Sequence, residues 1–414
     1  MQLARSCRTN VNPFTKYAIL HSTQFCGRRN TYRSYHVDAA PVAPLKLPRG
    51  HRSLLPLVRD CNNLVLPQFP WHSDRSHTIA TRKADGRVVN EEAVIPFLVS
   101  HDQQEIPLGF IRAQVASALE EDHQKHLVSD AASPWDLKYS NEQNKVLKAV
   151  AFADWVNEGG KYTRTMHMER LVSEWKKQNM FKEILRGWSD EAYPVYVHPP
   201  RDITVNHDPV AFAIERAALP LFGFVNFGAL LTGKSAYVRD PADGRLMLWI
   251  PRRSPHKRTW PSALDVTVGG GMGLGDSAME TIIRESAEEA LLDQEYVQEW
   301  IRPVGVLPFP NRSPGGWILP GMYYLFDLPL PADGSIVPRI NALDGEVEKF
   351  ELVEAETVLR YLLEGQFKSS SALAILDFLM RHGYITEETD PRYLDVCRHL
   401  KTDIKLPVAW RPHP

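Results

Sequence analysis

"GGGMGLGDSAMETIIRESAEEALL", residues 269–292, decides how the second half of this chain is to be read. Its five glycines permit tight turns and let backbone N–H groups approach an anion. Ser277-Ala-Met-Glu280 has the S-x-x-E form of a capping box, which predicts a helix opening near Ala278. On that helix Met279, Ile282, Ile283, Ala287 and Ala290 share one side, and Glu285, Glu288 and Glu289 gather roughly opposite. A solvated charged face is the usual meaning of such a pattern. Like charges at these spacings repel by about 0.2–0.5 kcal/mol per pair, however, so solvation alone gives no reason to collect them. A hard divalent cation does, because carboxylate oxygens are what Mg²⁺ or Mn²⁺ accepts.

With Gly270 as its first residue, the stretch resembles the Nudix box, G-x5-E-x7-R-E-U-x-E-E-x-G-U with U aliphatic. Asp276 stands at the first glutamate, and Arg284, Glu285, Glu288 and Glu289 fill the later charged positions. Asp276, Ser286 in place of the aliphatic residue and Leu291 in place of the late glycine are the departures. The resemblance implies hydrolysis of a diphosphate attached to another moiety, with Mg²⁺ (or Mn²⁺) polarising a phosphoryl oxygen. It implies metal ligands among Glu285, Glu288, Glu289 and Asp276, with Arg284, Glu285 and Glu289 in the catalytic set. A later acid is expected in "DGEVEKFEL", where Glu346 and Glu348 share one face of a strand-like run by the period of two. Glu346 is expected as a further ligand and Glu348 as a catalytic group.

The rest of the chain sets limits. Its 414 residues, 43% hydrophobic and 24% charged, have room for two domains. A formal charge of -2 and no basic stripe interleaved with aromatics give no footprint for nucleic acid. "LPLFGFVNFGALLTG", 219–233, is too short and too interrupted by Gly and Asn to cross a bilayer. Residues 1–37 differ: Arg5, Arg8, Lys16, Arg28, Arg29 and Arg33 precede the first acid, Asp38. That composition is expected of a mitochondrial or plastid transit peptide; the mitochondrial matrix is the expected address, with the cytoplasm as the alternative if the segment is only a basic tail. Cys61 and Cys397, far apart, suggest neither a disulfide framework nor a zinc site.

Residues 38–48 read as a Pro-containing linker, 49–218 as an N-terminal mixed α/β domain, and 219–414 as a second domain with a helical extension. Apolar spacing predicts helices in "RSLLPLVRDCNN", "EQNKVLKAVAFADWVNEGG" and "TMHMERLVSEWKKQNMF", and a strand in "YPVYVH". Strands "SAYVRD" and "LMLWIPRR", the Gly-rich helix, "MYYLFDLPL" and two later helices predict a layered second domain. The fold class is therefore α/β (α+β), a Nudix-like α/β/α sandwich behind a mixed α/β domain.

Beyond the box, "ERAALPLFGFVNFGALLTG", "WIPRRSPHKRTWPSALD", "FKSSSALAILDFLMRHGYIT", "LLPLVRDCNN" and "RGWSDEAYPVY" resemble fungal and plant Nudix proteins with an N-terminal DUF4743 domain. That likeness implies a small-molecule substrate, thiamine diphosphate or its oxidised oxo and oxy forms, cleaved to monophosphates. Arg252, Arg253 and Lys257 are candidate phosphate contacts, Gly269 and Gly270 candidate backbone contacts, and Trp260 or Trp249 a stacking surface. Solvated surface charge and core tryptophans are the plain readings of the same residues. The family tends to have "PG-LDN" where this chain has Pro261, Ser262, Ala263, Leu264, Asp265 and Val266, and "NGY" where it has Thr232, Gly233 and Lys234. ADP-ribose or coenzyme A as substrate, isopentenyl-diphosphate isomerase chemistry and a ligand-binding domain without turnover are the alternatives. The retained glutamates argue against the last.

Overall fold

The computed structural model describes residues 43–67, 77–101, 106–140, 145–199, 208–231, 237–239 and 245–410. The leader and the departures at Thr232, Gly233 and Lys234 lie outside them. After the helix Leu55–Cys61 (α1) comes a sheet of Leu64–Val65 (β1), His77–Arg82 (β2), Val88–Phe97 (β3), Gly109–Arg112 (β4), Trp135–Tyr139 (β5) and Leu147–Phe152 (β6). Its order is β1-β2-β3-β6-β5, with β4 also paired to β3. Ala113–Val128 (α2) follows β4, and Asp154–Glu158 (α3), Gly160–Lys177 (α4) and Lys182–Leu185 (α5) follow β6. Ala192–Tyr196 (β7) and Val210–Glu215 (β8) pair antiparallel.

The helix expected across "EQNKVLKAVAFADWVNEGG" is a correction: Leu147–Phe152 is β6, and only α3 follows. Ala149, Val150, Ala151 and Phe152 are all buried, and a short run buried on every side carries no period that separates strand from helix. Phe152 belongs to an aromatic core with Phe97, edge-on at 5.4 Å, and with Phe222 and Phe224, stacked at 5.2 Å. Phe222 and Phe224 follow the expected boundary at 219, and α1 precedes it yet shares a core with C-terminal helices. The cores interlock across the boundary.

The second half continues with Leu219–Phe222 (α6), Asn226–Leu231 (β9), Tyr237–Arg239 (β10), Leu246–Arg253 (β11), Val268–Gly271 (β12), Ala278–Ala290 (α7) and Gln294–Trp300 (α8). Then come Arg302–Arg312 (β13), Ile318–Asp327 (β14), Val347–Glu354 (β15), Ala355–Leu363 (α9), Ser369–Arg381 (α10) and Tyr393–Leu400 (α11). One sheet has the order β12-β9-β14-β13, with β9 and β14 parallel, and the other the order β10-β11-β15. Alternation along β9 builds the layers. Ala229 and Leu231 pack with Val268 and Ile282 of α7, whereas Leu230 packs with Leu359, Leu373 and Leu376 of α9 and α10. This is the expected α/β/α arrangement. Burying a side chain such as Ile282 contributes about 1.5–3 kcal/mol, which outweighs the tenths lost to repulsion among the acids of α7. Among the described residues no helix is long and apolar enough to cross a membrane.

Candidate active site

The capping box forms as the sequence predicts: Ser277 Oγ accepts the N–H of Glu280, and Glu280 Oε2 accepts that of Ser277, each at 3.2 Å. With Ile282 and Ala290 buried against the sheet, Glu285 and Glu289 turn toward the edge strand β12. The Gly269 N–H donates to Glu289 Oε2 at 3.0 Å. A Cβ on Gly270 would lie 2.3 Å from Glu285 Cγ and Oε1, so glycine is what lets that side chain cross the strand. The two glycines expected to touch substrate thus hold the glutamates.

Glu346 reaches the same place from the residue before β15. It shares a hydrogen bond with Glu289, and its Oε1 lies 2.5 Å from Lys257 Nζ. Glu348 does not follow it. Val347 pairs with Arg253 and Lys349 with Arg252, a register shift that leaves Glu348 without a partner in β11 and exposed. The bulge breaks the period of two on which its expected catalytic place rested. Glu288 is also exposed, at the rim, with its carbonyl accepting from Asn341 Nδ2 at 2.7 Å.

The three departures from the box each have a physical reading. Asp276 Oδ2 accepts from Arg284 Nη2 at 3.3 Å and from the Gly273 N–H at 3.2 Å, so the shorter acid, expected as a metal ligand, anchors Arg284 and the loop. Arg284 Nη2 also stands 3.5 Å from Glu285 Oε1. Ser286 is buried and donates its hydroxyl to the Ile282 carbonyl at 2.6 Å, which satisfies a polar group where the box has an aliphatic one. Leu291 has φ 50°, the left-handed conformation that favours the glycine of the pattern.

Burial, together with the charge of Glu285, pushes the Glu289 carboxyl well above the usual range, against the Gly269 N–H. Burial also raises Glu285 to about 7; Arg284 opposes this, and Glu288 and Glu346 add to it. Burial alone would raise Glu346, but Lys257 holds it below the usual range. Among the described residues no three His, Cys, Asp or Glu side chains stand at finished metal-site spacing; Glu285 and Glu346 are paired instead with Arg284 and Lys257. The donors nonetheless fit a hard divalent cation: all are carboxylate oxygens, and a cation would relieve the repulsion that burial intensifies.

Arg253 is not free for a phosphate. Its fork donates to Asp265 Oδ2 at 2.7 Å and to the carbonyls of Trp260 and Thr259 at 3.2 and 3.1 Å, folding the 254–263 loop. Asp265 is the buried anchor that sequence reasoning missed: burial would raise it, but Lys368, Arg253 and Ser371 hold it below the carboxylate range. Arg252 Nη1 donates to the Ser262 carbonyl at 2.8 Å. Trp260 and Ser262 have φ 52° and 58°, which accounts for the glycine preferred at the second. Trp260 is exposed, whereas Trp249 is partly buried in the α7 core.

The NUDIX domain profile matches residues 232–373, and that of DUF4743, a domain of unknown function, matches residues 77–226. An uncharacterized protein of Saccharomyces cerevisiae is 32% identical over 257 residues, covering 58% of this chain and 70% of that protein. The chain belongs to the Nudix family. "Nudix hydrolase 24, chloroplastic" of Arabidopsis thaliana is 36% identical over 221 residues, 53% of this chain, which spans 55% of the plant protein's length. A solved structure from Deinococcus radiodurans is 27% identical and covers 44% of this chain and 98% of its own, with a TM-score of 0.30. Proteins of this family act on phosphoric anhydride bonds of small molecules, typically with a divalent metal ion.

Proposed function

We propose that this Nudix hydrolase is a Mg²⁺-dependent diphosphatase converting thiamine diphosphate, and especially its oxidised oxo and oxy forms, to monophosphates. The observation that carries the chemistry is the convergence of Glu285 and Glu289 on the glycine strand β12, with Glu346 hydrogen-bonded to Glu289. Bound Mg²⁺ supplies polarisation of a phosphoryl oxygen. Glu285, Glu289 and Glu346 hold the cation, with Glu288 adding charge at the rim. Glu289 takes the proton of the attacking water, and the terminal phosphoryl group leaves as inorganic phosphate. Arg284 orients Glu285, and Lys257 and Arg252 at the rim meet phosphate oxygens. Trp260, exposed on its loop, offers a face to the organic half.

The substrate rests on the likeness of the two-part unit, since a metal site does not choose what is attached to the diphosphate. Under saturating Mg²⁺ the oxidised thiamine diphosphates should show kcat/KM at least about tenfold above ADP-ribose and coenzyme A, a ratio that ring contacts of a few kcal/mol supply. Equal or higher kcat/KM for either competitor refutes the thiamine reading and leaves diphosphate hydrolysis standing.

Residues 1–37 are proposed to direct the chain to the mitochondrial matrix, on their acid-free, Arg-rich composition. The plant relatives named as chloroplastic support an organellar address. A fluorescent fusion of the full chain should mark mitochondria, and one lacking 1–37 should be cytosolic; identical cytosolic signals overturn this.

A further inference from the structure

Three consecutive glycines form the end of β12, which among the described residues is an edge strand paired with β9 alone. Such a run has the most backbone freedom a chain can have and no side chains to fix it. Beyond its ladder with β9, the strand is restrained by the first half. A Cβ on Gly271 would lie 1.8 Å from Tyr193 Oη and 2.9 Å from Cζ, so the phenol of β7 rests directly on that residue. The Leu274 N–H donates to the Ala192 carbonyl at 2.9 Å. Met272, between them, is buried with Ile79, Val94 and Phe110 of β2, β3 and β4. Tyr193 is itself buried and fixed: Arg216 hydrogen-bonds its phenol oxygen and lies 6.0 Å from the ring centre. Arg216 Nη1 stands 3.3 Å from Glu191 Oε2, and its N–H donates to the Glu191 carbonyl at 2.9 Å.

Neighbouring residues of a strand face opposite sides, so Tyr193 presses on β12 at Gly271 from one face while Glu285 crosses Gly270 on the other. We propose that Tyr193, braced by Arg216 and Glu191, is a positioning residue through which the first half sets the glycine strand and hence the carboxylates of Glu285 and Glu289. The inference rests on those glutamates as cation ligands and makes the first half part of the site's construction. It assigns a task to residues in the stretch matched as a domain of unknown function.

The test is a double-mutant cycle in the full chain, read by direct Mn²⁺ binding, by kcat and KM, and by thermal melting. Gly271→Ala drives a methyl into the phenol, and Tyr193→Ala removes the phenol. Each should weaken Mn²⁺ binding and lower kcat about tenfold, with KM within about twofold, because the ligands rather than the substrate contacts are displaced. The double variant should be no worse than Tyr193→Ala alone, since the methyl then has nothing to strike. Tyr193→Phe, which keeps the ring, should retain more Mn²⁺ affinity than Tyr193→Ala and gives the same comparison if the alanine variant does not fold. Losses that multiply, unchanged Mn²⁺ affinity in Gly271→Ala, or an effect confined to KM overturn the proposal. A wild-type chain that binds no Mn²⁺ overturns the proposed function itself, so the two failures are distinguishable.

Discussion

Glu289→Gln should lower kcat at least about a hundredfold, a loss of about 2.7 kcal/mol in transition-state stabilisation. The amide keeps an oxygen for the Gly269 N–H, which the structure places 3.0 Å from Glu289 Oε2, so the local geometry survives. What disappears is a negative charge proposed both to ligate the cation and to take a proton. The same substitution should not destabilise the metal-free protein at neutral pH, because burial and Glu285 already oppose ionisation of this carboxyl. Glu285, raised to about 7, behaves alike. A carboxyl with a raised folded pKa contributes stability that is present below its unfolded value, about 4.3, and is lost as pH rises through about 7. With a chelator present, the wild-type chain should therefore gain stability between pH 7.5 and about 5.5, and Glu289→Gln should flatten that rise. Urea midpoints across this range and kcat in limiting Mg²⁺ check both halves. A mutant with wild-type turnover would remove Glu289 from the metal site.

The sequence shows those parts of the site that are local. The start of α7 lies in four residues, Ser277 to Glu280, whose hydrogen bonds close within one turn, and the spacing of Glu285 and Glu289 is a property of the same helix. Glu346 was legible only as one of a pair, because the choice between it and Glu348 depends on a register shift against β11, and pairing is not written in either strand alone. Arg253 looked like a phosphate contact because guanidinium chemistry suits phosphate and a buried carboxylate equally; Asp265, distant in the alternation, takes it. β6 was missed for the opposite reason, since four consecutive buried residues give no contrast between faces. Tyr193 carries no local signal at all: only the tertiary fold brings its hydroxyl to Gly271.

Gly270→Ala should cost about a hundredfold in kcat while leaving the protein folded. The new methyl would sit 2.3 Å from Glu285 Cγ and Oε1 and 2.4 Å from Cδ, distances that cannot persist. Something must move, and the physical question is which partner yields. At Gly228 the nearest atom to an added Cβ is a backbone carbonyl, that of Gly270 at 2.8 Å, so substitution there strains the sheet itself. At Gly270 the three nearest atoms belong to one long side chain with three rotatable bonds, so Glu285 swings out and β12 keeps its pairing with β9. Replacing a strand glycine with alanine also recovers roughly 0.5–1 kcal/mol of unfolded-chain entropy, which offsets the residual crowding. Stability should thus stay within about 1 kcal/mol of wild type, whereas the loss of one proposed cation ligand removes about 2.7 kcal/mol from the barrier reduction. Circular dichroism melts beside kcat at several Mg²⁺ concentrations separate the two quantities. If turnover is unchanged, Glu285 is not a ligand. If the variant unfolds, the backbone has yielded instead of the side chain, and the glycine is there for the sheet.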